Sequence, residues 1–160
     1  MLSRKLRFTK LAQQKDLDFI YLEMAQTLST LSSAVRRKVG CLIVKDTQII
    51  SEGYNGTPRG FDNGCEYVDH VDHMYTKPEV LHAESNAITK LARSTNSSSG
   101  ATLYVTCSPC FECAKLIIQS GIECVVYKDL YTNKDCMEAL VLLKKASIKV
   151  KQIKELTKMS

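Results

Sequence analysis

From residue 101 to residue 153 the chain alternates apolar strand-like runs with helical patterns. "ATLYVT" is followed by a helical stretch, "ECVVYKD" by another, and "IKVKQI" closes the series. Consecutive strands separated by a helix pair in parallel, through right-handed crossovers. The upstream half adds two strands, "VGCLIVKD" and "QIISEGYN", close enough to form a hairpin around Asp46 and Thr47. A five-stranded mixed sheet with helices on both faces follows, an α/β three-layer sandwich.

The helices that cover this sheet are read from caps and period. Asp16 is expected to cap a first helix with apolar positions Leu17, Ile20, Tyr21, Met24, Leu28 and Leu31. A second helix is expected from about His82 to Arg93, with Ala87, Ile88 and Leu91 inward. Ser108 and Pro109 read as the start of a third helix that runs to Ser120 and Gly121. Asn133 is expected to cap a fourth through Met137, Leu140, Val141 and Lys144. Residues 55–80 are rich in turn formers and carry no clear period, and a loop that long inside a compact domain is usually functional. "STNSSSG" is a short low-complexity loop. With 160 residues, no separating linker and no internal repeat, the chain reads as one domain, residues 1–160, with a core over about 17–153.

No run approaches the apolar length of a membrane span, and the basic N-terminus lacks the apolar segment of a secretory signal. The expectation is therefore a cytoplasmic protein without membrane contact. Seven cysteines, an odd number, argue against a disulfide framework. Cys41, Cys124 and Cys136 lie in apolar patterns and read as small buried hydrophobes. The net charge of +5 suits an anionic partner or a solvated surface alike. Its two basic terminal runs, "SRKLRFTK" and "KKASIKVKQIKELTK", lack the interleaved aromatics of a single-strand stacking platform, so no nucleic-acid partner is expected.

Cys107, Cys110 and Cys113 cluster in "CSPCFEC". Cys110 and Cys113, three apart at a helix start, point the same way, where the helix dipole favours thiolates. A lone C-x-x-C is also a redox motif, but "LHAESNAI" supplies a partner, His82, at the start of another helix. Zn²⁺ prefers sulfur and imidazole in a tetrahedron, and three protein ligands leave a position for water. Cys107 is the rival fourth ligand, which would make the site structural. Glu84 lies two residues after His82, and residues two apart on a helix face nearly opposite ways. The pair can share a pocket only at the helix mouth, where a carboxylate beside activated water would carry protons.

H-A-E at 82–84 with P-C-x-x-C at 109–113 is the pattern of zinc nucleobase deaminases. Together with "RRKVGCLIVKD", "IISEGYNGTPRGFDNGC", "LYVTCSPCFECAKLIIQSGI" and "VVYKDLY", it resembles the deoxycytidylate (dCMP) deaminases of the cytidine deaminase superfamily over roughly residues 17–153. The resemblance implies the cytidine deaminase-like fold and hydrolysis of dCMP to dUMP and ammonia, supplying dUMP for thymidylate synthesis. It implies Zn²⁺ held by His82, Cys110 and Cys113, with Glu84 as proton carrier. Arg36 and Tyr131 match the positions that bind the 5′-phosphate, Asn55 a sugar-binding amide, and Asn86 a contact to sugar or base edge. Family members are often hexamers, activated by dCTP and inhibited by dTTP, triphosphates that Mg²⁺ can accompany. The segment Arg59, Gly60, Phe61 and Asp62 resembles the region implicated in effector binding. Some relatives hold a second, structural zinc, for which Cys65, His70, His73 and Glu79 are the candidates here. Ala34 stands where their first-helix cysteine would be, and the plain reading of His70 and His73 is as surface loop residues. Two other readings share the zinc ligands: a tRNA or single-strand base deaminase, and a non-catalytic zinc-stabilised module closed by Cys107.

Overall fold

The computed structural model describes residues 2–154, with residues 2–12 described by backbone alone; the end of the second basic run lies outside them. In chain order the elements are α1 (Leu2–Ser29), β1 (Gly40–Lys45), β2 (Gln48–Tyr54), β3 (Glu66–Val68), β4 (Met74–Thr76), α2 (Ala83–Leu91), β5 (Thr102–Cys107), α3 (Phe111–Gln119), β6 (Cys124–Asp129), α4 (Lys134–Lys145) and β7 (Lys149–Gln152). The main sheet has the order β2-β1-β5-β6-β7. β1 is antiparallel to both β2 and β5, while β5, β6 and β7 run parallel, as the strand–helix–strand alternation requires. The β1–β2 turn holds Asp46 and Thr47 at φ 49° and 63°, the left-handed pair of a two-residue hairpin. One extra residue bulges β2 where the register shifts from Ile43↔Ser51 to Val44↔Ile49.

Because strand side chains alternate between faces, the sheet builds two cores. Cys41, Ile43, Leu103, Val105, Val125 and Tyr127 point to one face, where Ala83, Ala87 and Leu91 of α2, Ala114 and Ile117 of α3, and Ala139, Leu140 and Leu143 of α4 cover them. Leu42, Val44, Tyr104, Cys124 and Val126 point to the other, beneath Tyr21, Leu22 and Ala25 of α1. The three layers match the expected sandwich, and Cys41, Cys124 and Cys136 are buried as expected.

Three local expectations are corrected. α1 starts at Leu2, not at an Asp16 cap, because "SRKLRFTKLAQQK" contains no glycine or proline to stop the helix propagating upstream. Its apolar face is also narrower than the period suggests: Ile20 and Met24 stand exposed, and Leu31, also exposed, falls past the helix end at Ser29. α3 begins at Phe111 with Cys110 as N-cap, so Ser108 and Pro109 precede the cap. Within residues 55–80, β3 and β4 form a separate two-stranded sheet, closed by Asp69, whose Oδ1 accepts from Val71 and His73 N–H at 2.9 Å each.

Asp18 ties the α1 layer to the sheet. Its carboxylate is 1% exposed, and buried charge of this kind is costly unless paired. Oδ1 accepts from Tyr104 Oη at 2.7 Å and Gln14 Nε2 at 2.8 Å, and Oδ2 from Lys151 Nζ at 3.1 Å. Burial, then the Asp18 bond, pushes the Tyr104 hydroxyl well above the usual phenol range.

Two glycines let helices lie directly on strands. A Cβ at Gly40 would sit 1.9 Å from Ala25 O of α1. One at Gly53 would sit 2.3 Å from Ala83 O and 2.6 Å from Ala87 N of α2. Both obstacles are backbone and cannot rotate away. We therefore expect Gly53→Ala to cost about 3 kcal/mol, the upper range of overpacking. In thermal unfolding the midpoint should fall by roughly 6–12 °C; a fall under 2 °C would show that α2 is not seated on β2 as described.

Candidate active site

The ends of β2 and β5 and the starts of α2 and α3 meet on one side of the molecule. α2 takes His82 as its N-cap, at φ −71° and ψ 157°, and α3 takes Cys110, at φ −79° and ψ 171°. His82 is fixed from behind by the bridge between its neighbour Leu81 and Gly56, with N–H···O bonds of 2.9 and 3.1 Å. Extended backbone at both caps turns these side chains across the helix mouths toward each other. His82 Nδ1 lies 3.3 Å from Cys110 Sγ and 3.4 Å from Cys113 Sγ, and the three ligand atoms all fall within 4.8 Å of one another. Zinc bonds of about 2.0 Å to nitrogen and 2.3 Å to sulfur, at a tetrahedral angle, would set N and S about 3.5 Å apart. The donor set therefore fits Zn²⁺ in both chemistry and spacing.

The helix spacing problem for Glu84 dissolves in the same geometry. His82 lies outside the helix proper, so the 100° step between helical residues does not separate it from Glu84, and both line one cavity. Glu84 is 4% exposed, and burial pushes its carboxyl up. Hydrogen bonding to Cys110 pushes the His82 imidazole up to about 9. The Cys113 thiol, helped by His82, holds Cys110 down to about 4. Cys113, as the proton-bearing partner of that bond and buried, is raised. Without metal, the triad thus pairs a Cys110 thiolate with an imidazolium and a thiol.

The cavity has a volume of about 490 Å³ and is lined by Arg36, Arg37, Val39, Asn55, Glu66, Thr76, Val80, His82, Ala83, Glu84, Cys107, Ser108, Cys110, Tyr131, Asn133, Asp135 and Cys136. Of the residues singled out in the sequence, it gathers His82, Glu84, Cys110, Arg36, Asn55 and Tyr131, with Cys113 buried behind them. Asn55 spends part of its amide on the loop before β1, accepting from Val39 N–H and donating to Arg37 O, both at 2.8 Å. Asn86 is not in the lining; its Nδ2 donates to Tyr54 O at 2.9 Å, which ties α2 to β2. Arg59, Gly60, Phe61 and Asp62 form an exposed loop outside the cavity, with Gly60 at φ 94°. There the Gly64 N–H and then Lys77 hold the Asp62 carboxyl below its usual range. Cys65, His70, His73 and Glu79 are not drawn together: among the described residues the triad is the one cluster with metal-ligand spacing. Cys65 is buried beside Ser33 Oγ at 3.4 Å, whereas His70 and His73 are exposed on the β3–β4 turn.

Cys107 stands apart from the triad, its sulfur accepting from Arg37 Nη1 at 2.9 Å. Like Glu66, Thr76 and Asp135, Arg37 is a lining residue that sequence reasoning missed. Its guanidinium lies 4.4 Å above the Tyr131 ring, a cation–π stack that fixes both side chains at the rim. Nothing in "RRK" distinguishes it from Arg36; the loop conformation sends both into the cavity. Ser108, read as a helix cap, instead accepts from Tyr131 N–H at 2.8 Å and so sets the tyrosine's height. Asn133 caps α4 as expected, accepting from Cys136 N–H at 2.8 Å. Asp135 Oδ2 takes up Phe111 N–H at 3.1 Å.

Comparison with known proteins places the chain in a family. Residues 15–129 match the model of the cytidine and deoxycytidylate deaminase zinc-binding region. Deoxycytidylate deaminase of Saccharomyces cerevisiae is 36% identical over 140 residues, 84% of this chain but 44% of that protein. The deoxycytidylate deaminase of enterobacteria phage T4 is 35% identical over 147 residues, 69% of this chain and 76% of its own. The chain thus spans under half of the yeast relative and about three-quarters of the phage one. The crystal structure of dCMP deaminase from cyanophage S-TIM5, solved with dCMP and dUMP, superposes with a TM-score of 0.78 at 37% identity, covering 86% of this chain and 97% of that one. Matched in sequence across the zinc-binding region and in fold across the sheet and its helices, the chain belongs to the cytidine and deoxycytidylate deaminase family.

Proposed function

We propose that the protein hydrolyses dCMP to dUMP and ammonia, with one deaminase domain, core about residues 17–153, carrying the reaction. The observation that carries this reading is one cavity with a buried carboxylate and a zinc-competent triad at its floor and two guanidiniums and a tyrosine at its rim. His82, Cys110 and Cys113 would hold Zn²⁺, which when bound lowers the pKa of water from 15.7 toward about 7. Glu84, buried and with its carboxyl pushed up, accepts a proton and delivers it to ring nitrogen 3 of the cytosine. As water's oxygen bonds to ring carbon 4, Glu84 takes that water's second proton from the new hydroxyl and gives it to the 4-amino group; the C–N bond breaks, ammonia leaves, and the oxygen remains as the product's carbonyl. A 5′-phosphate carries close to two negative charges near neutral pH, and Arg36 and Tyr131 bind it. Asn55 retains one donor and one acceptor lone pair for a sugar hydroxyl. Asn86, outside the lining with its Nδ2 held to Tyr54 O, steadies the end of β2 beside Asn55 rather than touching sugar or base edge.

The finer physiology rests on the family resemblance: dUMP supply for thymidylate synthesis, a homohexamer, activation by dCTP and inhibition by dTTP with Mg²⁺ on the triphosphates, and effector contacts at Arg59–Asp62. A cytoplasmic setting suits seven cysteines that are all free. Among the described residues no helix is long and apolar enough to cross a membrane.

The test is ammonia release from dCMP, deoxycytidine, dCTP and a cytosine-bearing oligonucleotide. We expect the highest kcat/KM for dCMP, and a KM for dCMP raised at least about thirtyfold by Arg36→Ala, the loss expected for one charge-assisted contact. Preference for the oligonucleotide would place the protein among nucleic-acid base deaminases. No ammonia from any of the four, with zinc bound, would leave a zinc-stabilised binding module.

A further inference from the structure

The β3–β4 sheet contributes to neither core, and its six strand residues are exposed or half-exposed, so burial does not account for it. What it does contact is the arginine loop. Glu66 Oε1 accepts from two successive backbone N–H groups, Val35 at 3.0 Å and Arg36 at 3.2 Å. Thr76 Oγ1 accepts from Arg36 Nη1 at 3.1 Å. Glu66 and Thr76 face each other across the β3–β4 ladder, so one cross-strand pair grips both ends of one arginine. From the opposite side Asn55 fixes the same loop at Arg37 and Val39.

We propose that Glu66 and Thr76 are positioning residues that aim Arg36 at the substrate phosphate, an inference that rests on the nucleotide reading above. Residues 35–39 lie outside helix and strand, and Arg36 is exposed. Untethered, its long side chain would sample many rotamers and lose that freedom at each binding event. Glu66 fixes where the side chain leaves the backbone, and Thr76 fixes where the guanidinium arrives. The guanidinium has five N–H donors, and Thr76 takes one, which leaves a forked pair for phosphate oxygens. Glu66 binds the backbone rather than the guanidinium, so its charge does not occupy that fork.

The experiment is steady-state kinetics with dCMP on zinc-loaded wild type, Arg36→Ala, Glu66→Ala, Glu66→Gln, Thr76→Val and the Arg36→Ala/Glu66→Ala double variant. Glu66→Ala should raise KM about tenfold with kcat within about twofold, since preorganisation is lost but chemistry is not. Glu66→Gln, which keeps an acceptor oxygen, should return KM to within about threefold of wild type. Thr76→Val should raise it about threefold, and Glu66→Ala should add nothing once Arg36 is gone. An unchanged KM in Glu66→Ala, equal damage from the glutamine variant, or a full further rise in the double variant would overturn the proposal. An unchanged KM in Thr76→Val would remove Thr76 from the pair. A silent Arg36→Ala would instead sink the phosphate reading, and the proposal with it.

Discussion

Glu84→Gln is expected to retain one equivalent of zinc and lose at least about a thousandfold in kcat, the upper range for a single proton-transferring group. The substitution preserves volume, so His82, Cys110 and Cys113 keep their places while the group that moves protons disappears. Elemental analysis and ammonia release on the same preparation separate the two properties. Stability offers a second readout. A carboxyl that is 4% exposed and pushed up by burial is destabilising where it stands. The neutral amide should therefore leave the melting temperature unchanged or raise it. Turnover within tenfold of wild type would remove Glu84 from the reaction.

The second large effect is the pH dependence of zinc affinity. In the metal-free triad His82 is pushed up to about 9 and Cys113 is raised, so both hold protons near neutrality, whereas Cys110, held down to about 4, does not. Zinc takes a neutral imidazole and two thiolates, so binding releases one proton from His82 and one from Cys113. The free protein carries the more protons, and raising pH must therefore favour the bound state. Between about pH 5 and pH 8, affinity should climb roughly a hundredfold per unit. The slope should fall to one proton above about 9 and steepen below about 4, where Cys110 also protonates. Competition against a chelator of known pH behaviour measures this slope. A value of one proton or fewer across pH 6–8 would contradict the described pairing.

How far these features could be read from residues alone follows from which of them bury a face. The parallel order of β5, β6 and β7 was legible because β5 and β6 are apolar on both faces, edge strand β7 alternates lysine with Val150, and each crossover helix has a stripe facing inward. The triad was legible because His82, Cys110 and Cys113 are chemically distinctive and sit at helix starts. β3 and β4 left no such trace: three residues each, exposed or half-exposed, they have no alternation to detect. Tyr67, Val68, Met74, Tyr75 and Thr76, β-formers flanking "DHVDH", were the available signal. The start of α1 was misjudged because a cap-forming aspartate in mid-helix looks the same in one dimension as one at an end. Arg37 was invisible for another reason. That both adjacent arginines enter the cavity is decided by loop dihedrals that Asn55 and Glu66 set from distant parts of the chain.

The bulge in β2 separates two halves of one hairpin. Between it and the turn, pairing is set by Asp46 and Thr47; beyond it, by the contacts that seat Gly53 on α2 and Asn55 on the arginine loop. The unpaired residue disrupts the ladder locally, bends β2 and increases its twist there. The tip is itself anchored, because Tyr21 Oη of α1 donates to Thr47 O at 2.9 Å, so a tag or label grafted at this turn would disturb the α1 layer before it reached the arginine loop.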